Sequence, residues 1–114
     1  MSEKNKETVK QVNAAFNENN IEGFLEVCAE NVKWTMIGDK VVEGKDGIRE
    51  FAASMGDMEP PVITNKNIIA EGDSVAAYGE MTMGGKKYDY CDIYQFQAGK
   101  IAELSSYVVT NEAK

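Results

Sequence analysis

Apolar residues follow two textures along the chain, helical up to about residue 55 and strand-like after Pro61. Three early segments repeat apolar residues at i, i+3, i+4 or i+7, the spacing of one helix face. The first holds Val9, Val12 and Phe16, the second Ile21, Phe24, Leu25 and Cys28, and the third Ile48, Phe51, Ala52 and Met55. Each predicts an amphipathic helix that must lie on another surface. Asn20 is placed to cap the second helix and Asp46 the third. Between these two helices, residues 32–37 predict a short strand, then a Gly38-Asp39 turn and a second short strand or extended arm at Val41-Val42. The run "MGDMEPP", residues 55–61, ends the third helix, because two prolines favour extended chain.

After Pro61 come four strand-like runs separated by "EGD", "GG" and "AGK". Each separator is a hairpin signal, and successive hairpins make an antiparallel meander. The first few residues and the closing "TNEAK" are expected to fray. Helices followed by a run of strands give an α+β fold. The expected architecture is a cone-shaped, curved antiparallel sheet, about four long strands plus short N-terminal ones, wrapped around three helices in one domain spanning residues 1–114. Helices do not fill such a concave face completely, so its open end is a candidate pocket.

Composition narrows the function classes. The chain has 114 residues and a formal net charge of −7. That balance argues against nucleic acid and against anionic membrane surfaces, which select basic patches. No window approaches the roughly 18 apolar residues of a membrane-spanning helix. The opening "MSEKNKETVKQV" lacks a signal peptide's apolar core, so a cytoplasmic location is expected. Two cysteines, Cys28 and Cys91, are too few for a disulfide framework and read as buried free thiols. The sequence contains no histidine, which removes the commonest general base and metal ligand at neutral pH. Histidine-dependent triads within the chain are excluded, and no metal or cofactor is expected. Any catalysis falls to carboxylates, tyrosines and lysines.

The stretch "YDYCDIYQFQAGK", residues 88–100, concentrates the candidate chemistry. On a strand, Tyr88, Tyr90, Asp92, Tyr94 and Phe96 share one face. Four aromatics mark that face as inward, so Asp92 is aimed into an apolar interior. A buried carboxylate costs several kcal/mol unless paired or protonated. Asp92 is therefore either a pocket acid with a raised pKa or a structural carboxylate held by Tyr, Trp or backbone donors. Tyr90 and Tyr94 flank it and can donate to it or to a ligand. Trp34, Thr35 and Met36 on the first strand are candidate walls, as are Phe51 and Met55 on the third helix, Met81 on a hairpin strand, and Leu104, Ser106 and Val108 on the last strand. Methionine adapts to irregular apolar ligands; Met58 and Met83 also fall in segments expected to border the cavity.

The order helix, helix, "NVKWTMIG", "VEGKDGIREFAASM", then hairpins ending in "DIYQFQAGKIAELSSYV" resembles the nuclear transport factor 2-like superfamily. The closest resemblance is to its SnoaL-like and ketosteroid isomerase-like members, over roughly residues 5 to 110. Asp92 stands four residues before Phe96, matching the aspartate that donates to the substrate oxygen in ketosteroid isomerases. Thr35 stands three before Gly38, where those isomerases carry a general-base aspartate, and Val12 takes the place of their oxyanion tyrosine. The resemblance therefore does not imply ketosteroid isomerase activity itself. It implies a pocket for a small apolar ligand, a homodimer, and an acid/base enzyme of isomerase, cyclase or hydrolase type acting on a cyclic or polyketide-like oxygenated compound. In that reading Asp92 is the acid or base, assisted by Tyr94 or Tyr90. The alternatives are a non-catalytic ligand-binding domain and a dimeric interaction module.

Overall fold

A computed structural model describes residues 2–54 and 61–110. Its elements are α1 (Ser2–Asn17), α2 (Ile21–Leu25), β1 (Cys28–Met36), β2 (Lys40–Glu43), α3 (Gly44–Ser54), β3 (Val62–Glu71), β4 (Ser74–Met83), β5 (Lys86–Gln97) and β6 (Lys100–Thr110). The six strands form one curved, unclosed sheet in the order β2-β1-β6-β5-β4-β3. The three helices and the long hairpin strands thus follow the apolar periodicity. The meander β3 to β6 is antiparallel throughout. β1, however, pairs parallel with β6, so the sheet is mixed rather than wholly antiparallel. Three intervening hairpins return the chain to the first strand in that sense, and local pattern carries no record of it.

The helices occupy the concave face. α1 lies against β3 and β4, and α3 against β1 and β2. Val9 and Val12 of α1, Phe24 and Leu25 of α2, Ile48 of α3, Val32 of β1, and Tyr94, Ile101 and Leu104 of the meander are all buried. Each large apolar side chain removed from water in this way contributes about 1.5–3 kcal/mol.

Local signals hold with some shifts. Asn20 caps α2, its side chain accepting from the Gly23 N–H at 3.1 Å. α2 ends at Leu25, and Cys28 starts β1 instead of extending the helix. α1 begins at Ser2, so the early residues are helical rather than frayed. α3 begins at Gly44, where a positive φ of 81° turns the chain out of β2. Asp46 therefore falls inside the first turn, where it accepts from Arg49 Nη1 at 2.8 Å rather than capping the helix. Arg49 also reaches Glu22 through Nε at 2.7 Å, tying α3 to α2. Met55, Met58 and residues 111–114 lie outside the described residues. No described helix is long and apolar enough to cross a membrane.

Two bulges within the meander shape the inner face. In β3 the register slips between Asn65 and Asn67. Ile63 and Asn65 are half-buried before the slip, and Ile68 and Ala70 after it. The extra residue switches which parity faces inward, as a bulge must. Gly79 of β4 makes room for it: a Cβ there would lie 2.0 Å from the Thr64 carbonyl oxygen. A second slip at Gln95/Phe96 bends the β5–β6 hairpin near its turn.

Candidate functional site

One end of the concave face is left unfilled, forming a cavity of about 300 Å³. Its walls come from every layer: Phe16 and Ile21 from the first helices, Phe51 and Ala52 from α3, Trp34 and Met36 from β1, and Ile63, Met81 and Met83 from β3 and β4. Aromatic contacts build its helix side. Trp34 stacks on Phe16 with centroids 5.9 Å apart and meets Phe51 edge-on at the same distance. Lys40 Nζ lies 5.1 Å from the Phe51 ring centroid, outside the chamber.

The polar end is short. Asp92, Tyr90 and Ser106 reach the cavity from β5 and β6. Asp92 is paired across the strands with Ser106 on one side and Ala77 on the other. Only 9% of Asp92 is exposed. Burial pushes its carboxyl from 3.8 up to about 7, against a smaller lowering by the hydroxyl of Ser106, its cross-strand neighbour. Ser106 Oγ in turn accepts the Trp34 indole N–H at 2.9 Å. An indole nitrogen can only donate, so the Ser106 proton is left for Asp92. Among the described lining residues, Asp92 is the one acid, and none is a lysine or arginine. A carboxyl poised near neutrality beside an apolar space can lend or take a proton at physiological pH.

Tyr90 donates its hydroxyl to Asn65 Oδ1. Asn65, Gly79 and Tyr90 stand side by side across β3, β4 and β5. The missing side chain at Gly79 leaves a gap over which the two polar groups meet. Burial, reinforced by the Asp92 charge, holds the Tyr90 phenol well above its ordinary pKa. The described residues contain no group of three or more Cys, Asp or Glu able to hold a metal ion.

A profile of the SnoaL-like domain matches residues 9–104. The chain belongs to the SnoaL-like domain family. Among curated proteins no sequence matches it significantly. Solved structures share the fold at low identity. A candidate ketosteroid isomerase from Kribbella flavida is 17% identical, with a TM-score of 0.84 over 99% of this chain and 82% of that one. A candidate SnoaL-like polyketide cyclase from Jannaschia is 15% identical, with a TM-score of 0.82 over 95% and 87% of the two chains. An LEH-like epoxide hydrolase from M. tuberculosis is 12% identical, with a TM-score of 0.82 over 95% and 84%.

In this SnoaL-like chain, Trp34, Met36, Phe51, Met81, Tyr90, Asp92, Ser106 and Val108 all reach the cavity wall. Three expected site residues, the assistant Tyr94 and the wall candidates Leu104 and Thr35, do not. Tyr94 is fully buried in the solid core, its hydroxyl without a hydrogen-bond partner. It shares the inward face with Asp92 but stands two residues further along, about 7 Å by strand rise, beyond the cavity floor. Leu104, its cross-strand neighbour, is buried with it. Thr35 lies on the opposite parity from Trp34 and Met36, beside Ser105 and Val41. Of the thiols, Cys28 is buried, and burial pushes it up to about 12, whereas Cys91 is only half-buried.

Sequence reasoning did not place Phe16, Ile21, Ala52, Pro61 or Ile63 at the wall. Phe16, Ile21 and Ala52 carry the periodicity of a packed helix face, which does not tell core from cavity. Asn65 was missed because the bulge that turns it inward has a single signal, Gly79 opposite it.

Proposed function

We propose that the cavity is a binding chamber for a small apolar, oxygenated molecule, and that Asp92 acts in it as general acid or base. The observation that carries this reading is Asp92 itself, a nearly buried carboxyl set in an apolar wall and poised at about 7. A polar group so costly to bury is readily explained by work on a ligand. Isomerase, cyclase or hydrolase chemistry on a cyclic or polyketide-like compound is consistent with the names of the isomerase, cyclase and epoxide hydrolase structures that share the fold. Ketosteroid isomerase chemistry itself is not proposed, since Val12 and Thr35 occupy the positions of its other two catalytic groups.

The test is turnover of a panel of enolisable ketones and epoxides, each with and without a neighbouring hydroxyl, by wild type and Asp92→Asn. Positioned acid–base catalysis contributes about 10²–10⁴-fold, so the variant should lose that much. Turnover that survives the substitution unchanged would sink the catalytic role.

A second reading, a non-catalytic ligand-binding domain, draws on the two expected assistants of Asp92: Tyr94 is sealed in the core, and the Tyr90 hydroxyl is turned to Asn65. Binding of apolar compounds without turnover of any would favour it.

We also infer a cytoplasmic homodimer that pairs through the convex face of the sheet. Ile69 of β3, Tyr78 of β4, and Tyr107 and Val109 of β6 are exposed there. Apolar groups gathered on one face of a sheet call for cover. Tyr107→Lys combined with Val109→Asp should convert a dimer to a monomer in sedimentation; a wild-type monomer would remove the inference.

A further inference from the structure

Hydrogens at the polar end of the cavity are already committed. The Trp34 N–H goes to Ser106 Oγ, which leaves the Ser106 proton for Asp92, its cross-strand neighbour. The Tyr90 hydroxyl goes to Asn65 Oδ1. What Tyr90 offers the cavity is therefore an oxygen lone pair, not a proton. Asp92 offers lone pairs as well once it is ionised. No lysine or arginine lines the cavity among the described residues, and the remaining polar lining side chains, Asn19 and Asn20, belong to the α1–α2 turn on the helix side, with Asn20 Oδ1 taken by the Gly23 N–H.

We propose that the polar end of the cavity accepts hydrogen bonds, and that its ligand is an apolar molecule presenting a hydroxyl to Tyr90 Oη and the Asp92 carboxylate. This rests on the reading of the cavity as a ligand chamber. A ketone oxygen, itself an acceptor, faces two acceptors there and is disfavoured. A protonated amine would donate, but it must shed the hydration of a full charge against a single carboxylate, at greater cost than a neutral hydroxyl. Asn65 does not border the cavity; it is the positioning residue that turns Tyr90 from donor into acceptor. Gly79 permits the contact.

Ionisation of Asp92 sets the pH dependence. The titratable groups beside it are Tyr90, Cys91 and Tyr94 on its own strand, all held towards their neutral forms. From β6 it faces the uncharged Ser106, and from β4 the uncharged Ala77. Hydroxyl binding should therefore strengthen, and ketone binding weaken, as pH rises through about 7.

The experiment is calorimetric titration with 2-decalol, 2-decalone and 2-aminodecalin, on either side of that pH. On the alkaline side the alcohol should bind about tenfold more tightly than the ketone, the usual worth of one or two net hydrogen bonds. Asn65→Leu frees the Tyr90 proton and should bring the pair near parity, whereas Asn65→Asp keeps an acceptor and should retain the preference. Tyr90→Phe, which removes that accepting oxygen without touching the bulge, should reduce the preference to what the Asp92 carboxylate alone holds. A ketone bound as tightly as the alcohol above pH 7, an amine bound tightest, or a preference untouched by Tyr90→Phe overturns the inference and leaves the chamber standing. Failure of all three compounds to bind overturns the chamber and the inference together.

Discussion

Trp34 on β1 donates its indole N–H to Ser106 Oγ on β6, 2.9 Å away across the parallel seam of the sheet. That contact joins the aromatic helix side of the cavity to its acid. By occupying the serine lone pair, it leaves the serine proton for Asp92, the serine's cross-strand neighbour. The parallel pairing of β1 is thus part of what sets the charge state of a residue four strands later in the chain.

Ser106→Ala removes the one donor that lowers the Asp92 pKa. The Asp92 titration, followed by carboxyl-carbon NMR, should move further up. The same variant leaves the Trp34 N–H unsatisfied, a loss of about 1–3 kcal/mol if no water replaces the hydroxyl. An unmoved titration would show that the serine does not bond the carboxyl.

Asp92 makes stability fall with rising pH. Its folded pKa of about 7 lies above the unfolded 3.8, so the native state holds the proton more tightly between these values. The contribution is fully present below 3.8, is lost as pH climbs to about 7, and is constant above. The difference is on the order of 4 kcal/mol. Asp92→Asn should therefore stabilise the protein in urea titrations above pH 7, and the gain should shrink towards acid. A gain independent of pH would contradict the buried carboxyl.

Gly79→Ala should be among the most damaging small substitutions in the sheet. The added methyl meets backbone, the Thr64 oxygen at 2.0 Å and the Lys66 nitrogen at 2.8 Å, which cannot swing aside as a side chain can. A loss of about 2 kcal/mol or more is expected, a fall in Tm of roughly 10 °C for a chain this size. Thermal unfolding by circular dichroism measures it.

Cys28 should resist alkylation in the native state. It is 2% exposed, its thiol is pushed up to about 12 by burial, and it donates to the Phe24 carbonyl at 3.3 Å. The thiolate is the reacting form. Mass spectrometry after mild iodoacetamide treatment should find Cys28 unmodified until denaturant is added; rapid native labelling would place it at the surface.

Much of this molecule is written in local pattern. Apolar spacing marks three helices, Gly-containing separators mark the hairpins, and the parity of Tyr88 to Phe96 puts Asp92 on the inner face, because side-chain direction on a strand follows directly from residue number. The family resemblance is legible for the same reason, in motifs that keep their order. Depth is not legible. Tyr94 shares the parity of Asp92, yet one is sealed in the core and the other borders a cavity, since that difference depends on how far the helices reach along the strand. Likewise, the parallel seam that brings Trp34 to Ser106, and the bulge that turns Asn65 towards Tyr90, join residues far apart in the chain. Pairing between distant strands is decided by the energy of the assembled sheet and core, and no short window of sequence contains it.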